Sequence, residues 1–139
     1  MTCNSAIYTE NTTEQALLPN AQIPFGSIIR RFGRYCDVQG SDVVIGDCCS
    51  KNGNGYYMVD CSATLEPTAI GNVSVQLYVN GQPYTAPAVE YSATAGNPVN
   101  LKLCPIVRLY GECNLVTLQV RLGDEGATVT NMQFRVVKL

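Results

Sequence analysis

Histidine and tryptophan are both missing from the 139 residues. Without an imidazole there is no His-based catalytic triad, no Cys–His dyad, no HExxH metalloprotease helix and no zinc site built on a His ligand. Charge is scarce as well: nine Lys and Arg stand against eleven Asp and Glu, leaving a net charge of −2. Nucleic-acid binders normally carry a basic face, so that partner is excluded. No apolar run approaches the roughly 18 residues of a membrane span. The start, Met1-Thr2-Cys3-Asn4-Ser5, has neither the basic residues nor the apolar stretch of a secretory signal. These gaps lead to the expectation of one soluble domain, not an enzyme, with no cofactor and no metal.

Cysteine, by contrast, is plentiful, and the count of seven is odd. At least one thiol therefore has no partner within a monomer. Cys48 and Cys49 are adjacent, which strains a bridge between them, and no CxxC pair exists to seed a zinc site. A nucleophilic Cys needs a lowered pKa, usually from a neighbouring imidazole, which this chain lacks. Cys61 falls on the apolar side of its segment and reads as core, whereas Cys104 falls opposite the apolar set, at an interface. Cys36, Cys48, Cys49 and Cys113 fall in or near loops and are the candidates for thiol or disulfide chemistry.

The dominant pattern is apolar–polar alternation, the mark of strands with one buried side. Tyr57, Val59, Cys61, Ala63 and Leu65 alternate with Met58, Asp60, Ser62 and Thr64. Val73 to Val79, Val99 to Val107 and Val116 to Leu122 repeat it. Gln22–Arg31, with Ile23, Phe25 and Ile29 in phase, reads as an edge strand tolerating Pro24. Tyr35–Val38 and Val43–Ile45 form a hairpin across Gly40-Ser41, and Pro87 divides Tyr84–Ala93 into two short pieces. Near the end, Val129 is out of phase with Met132, Phe134 and Val136, a slip explained by a bulge near Thr130-Asn131 or by a strand buried on both faces. Asn80-Gly81 between alternating runs marks a type I′ hairpin turn.

The one helix candidate is Asn11 with Glu14, a capping box ahead of Gln15-Ala16-Leu17-Leu18, cut short by Pro19. Residues 1–21 are expected to be an extended or disordered arm, and 22–139 a single domain. Turn signals at short, regular spacing point to an all-β, ten-stranded, two-sheet sandwich or jelly roll. Several outward positions are apolar: Ile28, Tyr56, Met58, Tyr78, Ile106 and Val137. Together they indicate a subunit interface.

Chemistry-bearing clusters are thin. Asp42, Asp47 and Asp60 show no calcium-loop spacing and read as solvated loop acids balancing nearby arginines. Arg30-Arg31-Phe32-Gly33-Arg34-Tyr35 is the one basic run with interleaved aromatics. It suits a phosphate or acidic sugar, but is expected to be a turn whose guanidiniums pair with acids across an interface. The sequons at Asn11 and Asn72 carry no meaning without secretion.

Several spaced motifs between residues 20 and 139 carry a resemblance: Ile23-Pro24-Phe25-Gly26, Gly55-Tyr56-Tyr57-Met58-Val59 and Pro67-Thr68-Ala69-Ile70-Gly71-Asn72-Val73. Leu77-Tyr78-Val79-Asn80-Gly81, Gly96-Asn97-Pro98-Val99, Thr128-Val129-Thr130-Asn131-Met132 and the closing Val137-Lys138-Leu139 complete it. The set resembles the jelly rolls of the tumour-necrosis-factor and complement-globular-head superfamily. It is more similar to the bacterial and bacteriophage versions, such as the C-terminal domain of the collagen-like spore-surface glycoprotein and small Firmicutes prophage proteins. The chain departs from the spore-surface pattern in having no Gly-X-Y stretch and more Cys. The resemblance implies a homotrimer around a threefold axis, located on a virion or bacterial surface, as a structural or adhesive tip or decoration component. A surface glycan or protein receptor is the partner such a part would bind. The alternative is a carbohydrate-binding module, with eight Tyr standing in for the absent Trp.

Overall fold

Along Gly55–Pro67, Tyr57, Val59, Cys61, Ala63 and Leu65 are fully buried, while Met58, Asp60, Ser62 and Thr64 between them are not. Successive side chains of an extended chain point to opposite sides, so this segment is a strand with one face in a core. The same rule repeats through the computed structural model, which describes residues 5–47, 53–110 and 114–139. In chain order its strands are β1 (Ala6–Asn11), β2 (Gln15–Leu17), β3 (Ser27–Phe32), β4 (Cys36–Gln39), β5 (Asp42–Asp47), β6 (Gly55–Pro67) and β7 (Gly71–Val79). They continue as β8 (Gln82–Pro83), β9 (Ala88–Ala93), β10 (Val99–Leu103), β11 (Ile106–Leu109), β12 (Asn114–Leu122) and β13 (Ala127–Lys138).

These strands form two antiparallel sheets packed face to face. Sheet A has the order β10-β6-β13-β1-β3, with β11 also beside β6 and β2 beside β13. Sheet B has the order β4-β5-β12-β7-β8, with β9 also beside β7. Between them lie Ile7, Tyr57, Leu65 and Phe134 of sheet A and Val43, Ile45, Leu77 and Leu118 of sheet B. Phe25 tilts onto Phe134 with ring centroids 4.5 Å apart, closing one part of this core.

The architecture is the two-sheet all-β sandwich read from the alternation, with thirteen strands among the described residues rather than ten. Two of the extra strands, β2 and β8, are three and two residues long, too short to show a period. Another arises at Cys104-Pro105, where Pro105 has no N–H to give a ladder and divides one apolar run into β10 and β11. The Pro105 carbonyl still accepts from Val59 N at 2.9 Å, so the chain stays beside β6. The expected bulge lies where the phase slips, with the register of β13 against β6 shifting between Val129 and Asn131. Asn80 and Gly81 turn β7 into β8 with φ of 52° and 79°, the positive values a type I′ turn requires.

Three expectations need correction. Residues 6–11, read as part of a preceding arm, form β1 in the body of sheet A, between β13 and β3. Its inward positions are Ile7, Thr9 and Asn11, all buried but only one of them apolar, so no alternation signals the strand. The helix candidate is also a strand: β2 pairs with Ala127–Val129 of β13. Asn11 is no helix cap, for its Oδ1 accepts from Thr13 N at 3.0 Å and its Nδ2 donates to the Pro24 carbonyl at 3.2 Å, a side-chain turn. Finally, Gln22–Arg31 is not one strand. Ala21–Ile23 bonds to β12, through Ile23 N to Val120 O at 2.8 Å and Leu122 N to Ala21 O at 2.9 Å. The chain then crosses to sheet A, where β3 begins only after Gly26.

Candidate subunit interface

The outer face of sheet A carries its side chains in rows, because residues opposite each other in a ladder point the same way. One row runs across five strands: Ile106 of β11 faces Met58 of β6, Met58 faces Val137 of β13, Val137 faces Ala6 of β1, and Ala6 faces Phe32 of β3. All four large members lie open on the protomer: Ile106 is 51% exposed, Met58 and Val137 37% each and Phe32 61%. At one end the row widens. Tyr56, opposite Arg108, meets Tyr110 edge-on at 6.1 Å; the Arg108 guanidinium lies 4.4 Å over the Tyr110 ring, and Leu139 N donates to Tyr56 O.

The next row is charged. Asp60 faces Arg135, Arg135 faces Tyr8, and Tyr8 faces Arg30. Arg135 makes a loose 3.8 Å ion pair with Asp60 and stacks 4.8 Å over the Tyr8 ring. Tyr8 in turn donates to Glu10 Oε2 at 3.2 Å. With Lys102, Ser62 and Gln133, Asp60 and Arg135 bound a recess of about 140 Å³. Beyond it the face becomes neutral and polar, with Asn100 Nδ2 donating to Ser62 Oγ at 3.1 Å and Thr64 Oγ1 at 3.0 Å.

Of the six outward apolar residues singled out from the sequence, Tyr56, Met58, Ile106 and Val137 come together on this face. Ile28 does not. A register shift between Tyr8 and Thr9 puts it opposite Thr9, whose side chain points into the sandwich, so Ile28 hangs off the sheet edge on the other side. Tyr78 lies on the far face of the protein, in sheet B, under the Arg121 guanidinium at 4.3 Å. Phe32, Ala6, Tyr110 and Leu139 belong to the face but were not singled out. Phe32 was hidden in the arginine run, and Ala6 and Leu139 lie at chain ends where no period can be counted.

The arginine run is the end of β3 plus a turn, with Gly33 at φ 77°. Arg31 Nη1 pairs with Asp37 Oδ1 at 2.6 Å within the same chain rather than across an interface. Asp42 accepts from Gln22 Nε2 at 3.1 Å and Gln119 Nε2 at 2.9 Å, an anchor for the outer side of sheet B. Among the described residues no three His, Cys, Asp or Glu side chains converge.

Cys61 is core, its Sγ 3.6 Å from the Met132 sulfur. Cys36, expected in a loop, is buried as the first residue of β4, and Cys104 is exposed; all three are free thiols. Cys48, Cys49 and Cys113 lie outside the described residues. Burial pushes the Cys61 thiol up to about 12, with the Asp60 charge adding to it, and the Cys36 thiol up to about 11, against a hydrogen bond from Ser5 that lowers it. Both are therefore poor nucleophiles. Iodoacetamide at neutral pH is expected to leave Cys36 and Cys61 unmodified until denaturant is added, read by peptide mass spectrometry; rapid labelling of either in the native protein contradicts their burial. The raised values also set a sign. Above the ordinary thiol value of 9.0 the unfolded chain releases protons that the folded one keeps, so stability falls as pH climbs from there towards 11 and 12.

The sequence matches no protein-family model, and no curated sequence is similar to it. Solved structures are similar in fold. Murine APRIL, at 13% identity, superposes with a TM-score of 0.69 over 98% of this chain and 99% of its own. The globular domain of zebrafish complement 1qA gives 0.68 at 10% identity, over 95% and 94%. PRD1 vertex protein P5 gives 0.64 at 12% identity, over 97% and 96%. Near-complete coverage in both directions at such low identity establishes the fold: the chain is a two-sheet jelly roll like those of APRIL and the complement 1qA globular domain.

Proposed function

We propose that this protein is a non-enzymatic homotrimeric domain, a structural or adhesive tip or decoration component of a phage particle or bacterial surface, joined through the outer face of sheet A. The observation that carries the reading is the apolar row Ile106–Met58–Val137–Ala6–Phe32. Contiguous apolar surface of this kind marks a contact site. The row reaches from one edge of the sheet to the other, so each copy offers apolar surface to two neighbours at once. A closed ring needs that, because its contacts join unlike edges of adjacent subunits. The two rows beside it supply both signs of charge, Asp60 and Glu10 against Arg135, Arg30 and Lys102, which favours one register of the copies over others.

The number three comes from the family resemblance in Ile23-Pro24-Phe25-Gly26, Gly55-Tyr56-Tyr57 and the closing strand. The likeness to a phage vertex protein favours the particle setting, and the resemblance to spore-surface and prophage proteins favours a bacterial or phage source. Sedimentation velocity tests the assembly. At micromolar concentration the protein is expected to run at three times the 15.0 kDa chain mass. A stable monomer there removes the reading.

A further inference from the structure

On the outer side of sheet B, where the turn between β12 and β13 meets β7 and β9, an open groove encloses about 550 Å³. Its walls include Asn72 and Ser74 of β7, Tyr91 of β9, and Asp124 and Glu125 of the turn. We propose that this groove binds a neutral carbohydrate, a sugar ring lying on Tyr91 and its hydroxyls held by Asp124 and Glu125. The inference rests on the reading of this chain as a binding domain and adds the site and the ligand class.

Three features point to that chemistry. Tyr91 is 71% exposed, with no ring or hydrogen-bond partner among the described residues. A phenol ring so placed offers an apolar flat surface with a polar rim, the complement of a pyranose face. Asp124 and Glu125 make no hydrogen bond or ion pair with any described residue, and no Lys or Arg lines the groove. They are strong, uncommitted acceptors for hydroxyl donors, and they repel phosphates and acidic sugars. Ser74 adds a hydroxyl and Asn72 an amide, groups that donate as well as accept. An ammonium only donates and would leave the Ser74 hydroxyl proton unmatched, whereas a sugar hydroxyl both donates and accepts.

Glycines lie close to two of the polar groups. A Cβ at Gly71 would stand 3.3 Å from the Glu125 carboxylate, and one at Gly123 would run into Ser74 Oγ. The volume falls within the range of small-ligand sites, about 300–1,000 Å³. Because Ser74 points away from the core between buried Val73 and Val75, the groove lies on the side of the protein opposite the apolar row. It stays open when sheet A is covered. Three grooves on one trimer would raise weak single-site affinity through avidity, by about 10²–10⁴.

The test is a printed array carrying neutral oligosaccharides, acidic oligosaccharides and polylysine, probed with the intact wild type, with Tyr91→Ala and with Asp124→Asn/Glu125→Gln. Light scattering on the same samples reports their mass. Neutral sugars are expected to be bound, each variant losing about tenfold or more in apparent affinity at unchanged mass. The proposal is overturned if no neutral sugar is bound, if only acidic sugars or polylysine are bound, or if both variants bind as the wild type does. A wild-type monomer that binds neutral sugars through Tyr91 supports the groove and removes only the trimer.

Discussion

If the chain assembles as proposed, Met58→Asp is expected to yield folded monomers in place of the trimer. Met58 stands in the middle of the apolar row, between Ile106 and Val137 on the neighbouring strands. On the isolated protomer it is 37% exposed, so a carboxylate there reaches water. Exposed substitutions of that kind change stability by only about 0.5 kcal/mol. In the proposed trimer, joined through this row, the same carboxylate would be covered by the apolar surface of a neighbouring copy. An unpaired buried charge costs about 2–5 kcal/mol, and a trimer contains one from every protomer. Since 1.4 kcal/mol is tenfold in an equilibrium constant, association at micromolar concentration would be lost. Native mass spectrometry gives the mass, and circular dichroism shows whether the monomer keeps its β spectrum. Tyr78→Ala is the discriminating control. Tyr78 was equally apolar and outward-facing by sequence, yet it lies on sheet B under Arg121, so this variant is expected to stay trimeric. The reverse pattern, a trimeric Met58→Asp and a monomeric Tyr78→Ala, would move the interface to the other sheet.

The contrast between Met58 and Tyr78 also shows where sequence reading stops. Period-two alternation identified β6, β7 and β12 because each has one face in the core and the other outside. It shows which residues of a strand share a face, but not which sheet the strand joins. Tyr78 and Met58 thus looked alike until the strand order separated them. Where the inward positions are polar, as at Thr9 and Asn11 of β1, the period is silent although the strand sits in the body of the sheet. Local irregularity has the same effect in β3, where the register shift at Tyr8/Thr9 separates Ile28 from Phe32, two residues that a regular strand would place on one face. Turn chemistry was more informative than length. Asn80-Gly81 and the slip at Thr130-Asn131 each needed a specific backbone state, and each is found there. The groove at Tyr91 gave no signal at all, since its walls come from three separated segments.

Gly26→Ala is expected to destabilise the fold by about 3 kcal/mol or more, among the larger effects of a single substitution. Gly26 has φ of 82°, a left-handed conformation that costs an L-residue about 1–2 kcal/mol. Its surroundings add a second, larger penalty. A Cβ there would overlap the Glu10 carbonyl oxygen and come within 2.6 Å of Asn11 Cβ and 2.7 Å of Asn11 Cα. These atoms are at the end of β1, which is fixed by β13 on one side and β3 on the other, so they cannot retreat cheaply. The loop cannot retreat either, because Phe25 is wedged against Phe134 and Ile23 is bonded to β12. Gly40→Ala separates the two contributions. Gly40 has a similar φ, 63°, but nothing lies within 4 Å of a Cβ added to it. It should therefore show the conformational cost alone. Urea titrations at one protein concentration measure both, since assembly stabilises the folded state by mass action. Equal midpoint shifts for the two variants would mean that β1 yields and the close approach is not what reserves this position for glycine. A much larger shift for Gly26→Ala would show that the close approach to Glu10 and Asn11, at the crossing from sheet B to sheet A, is what reserves this position for glycine.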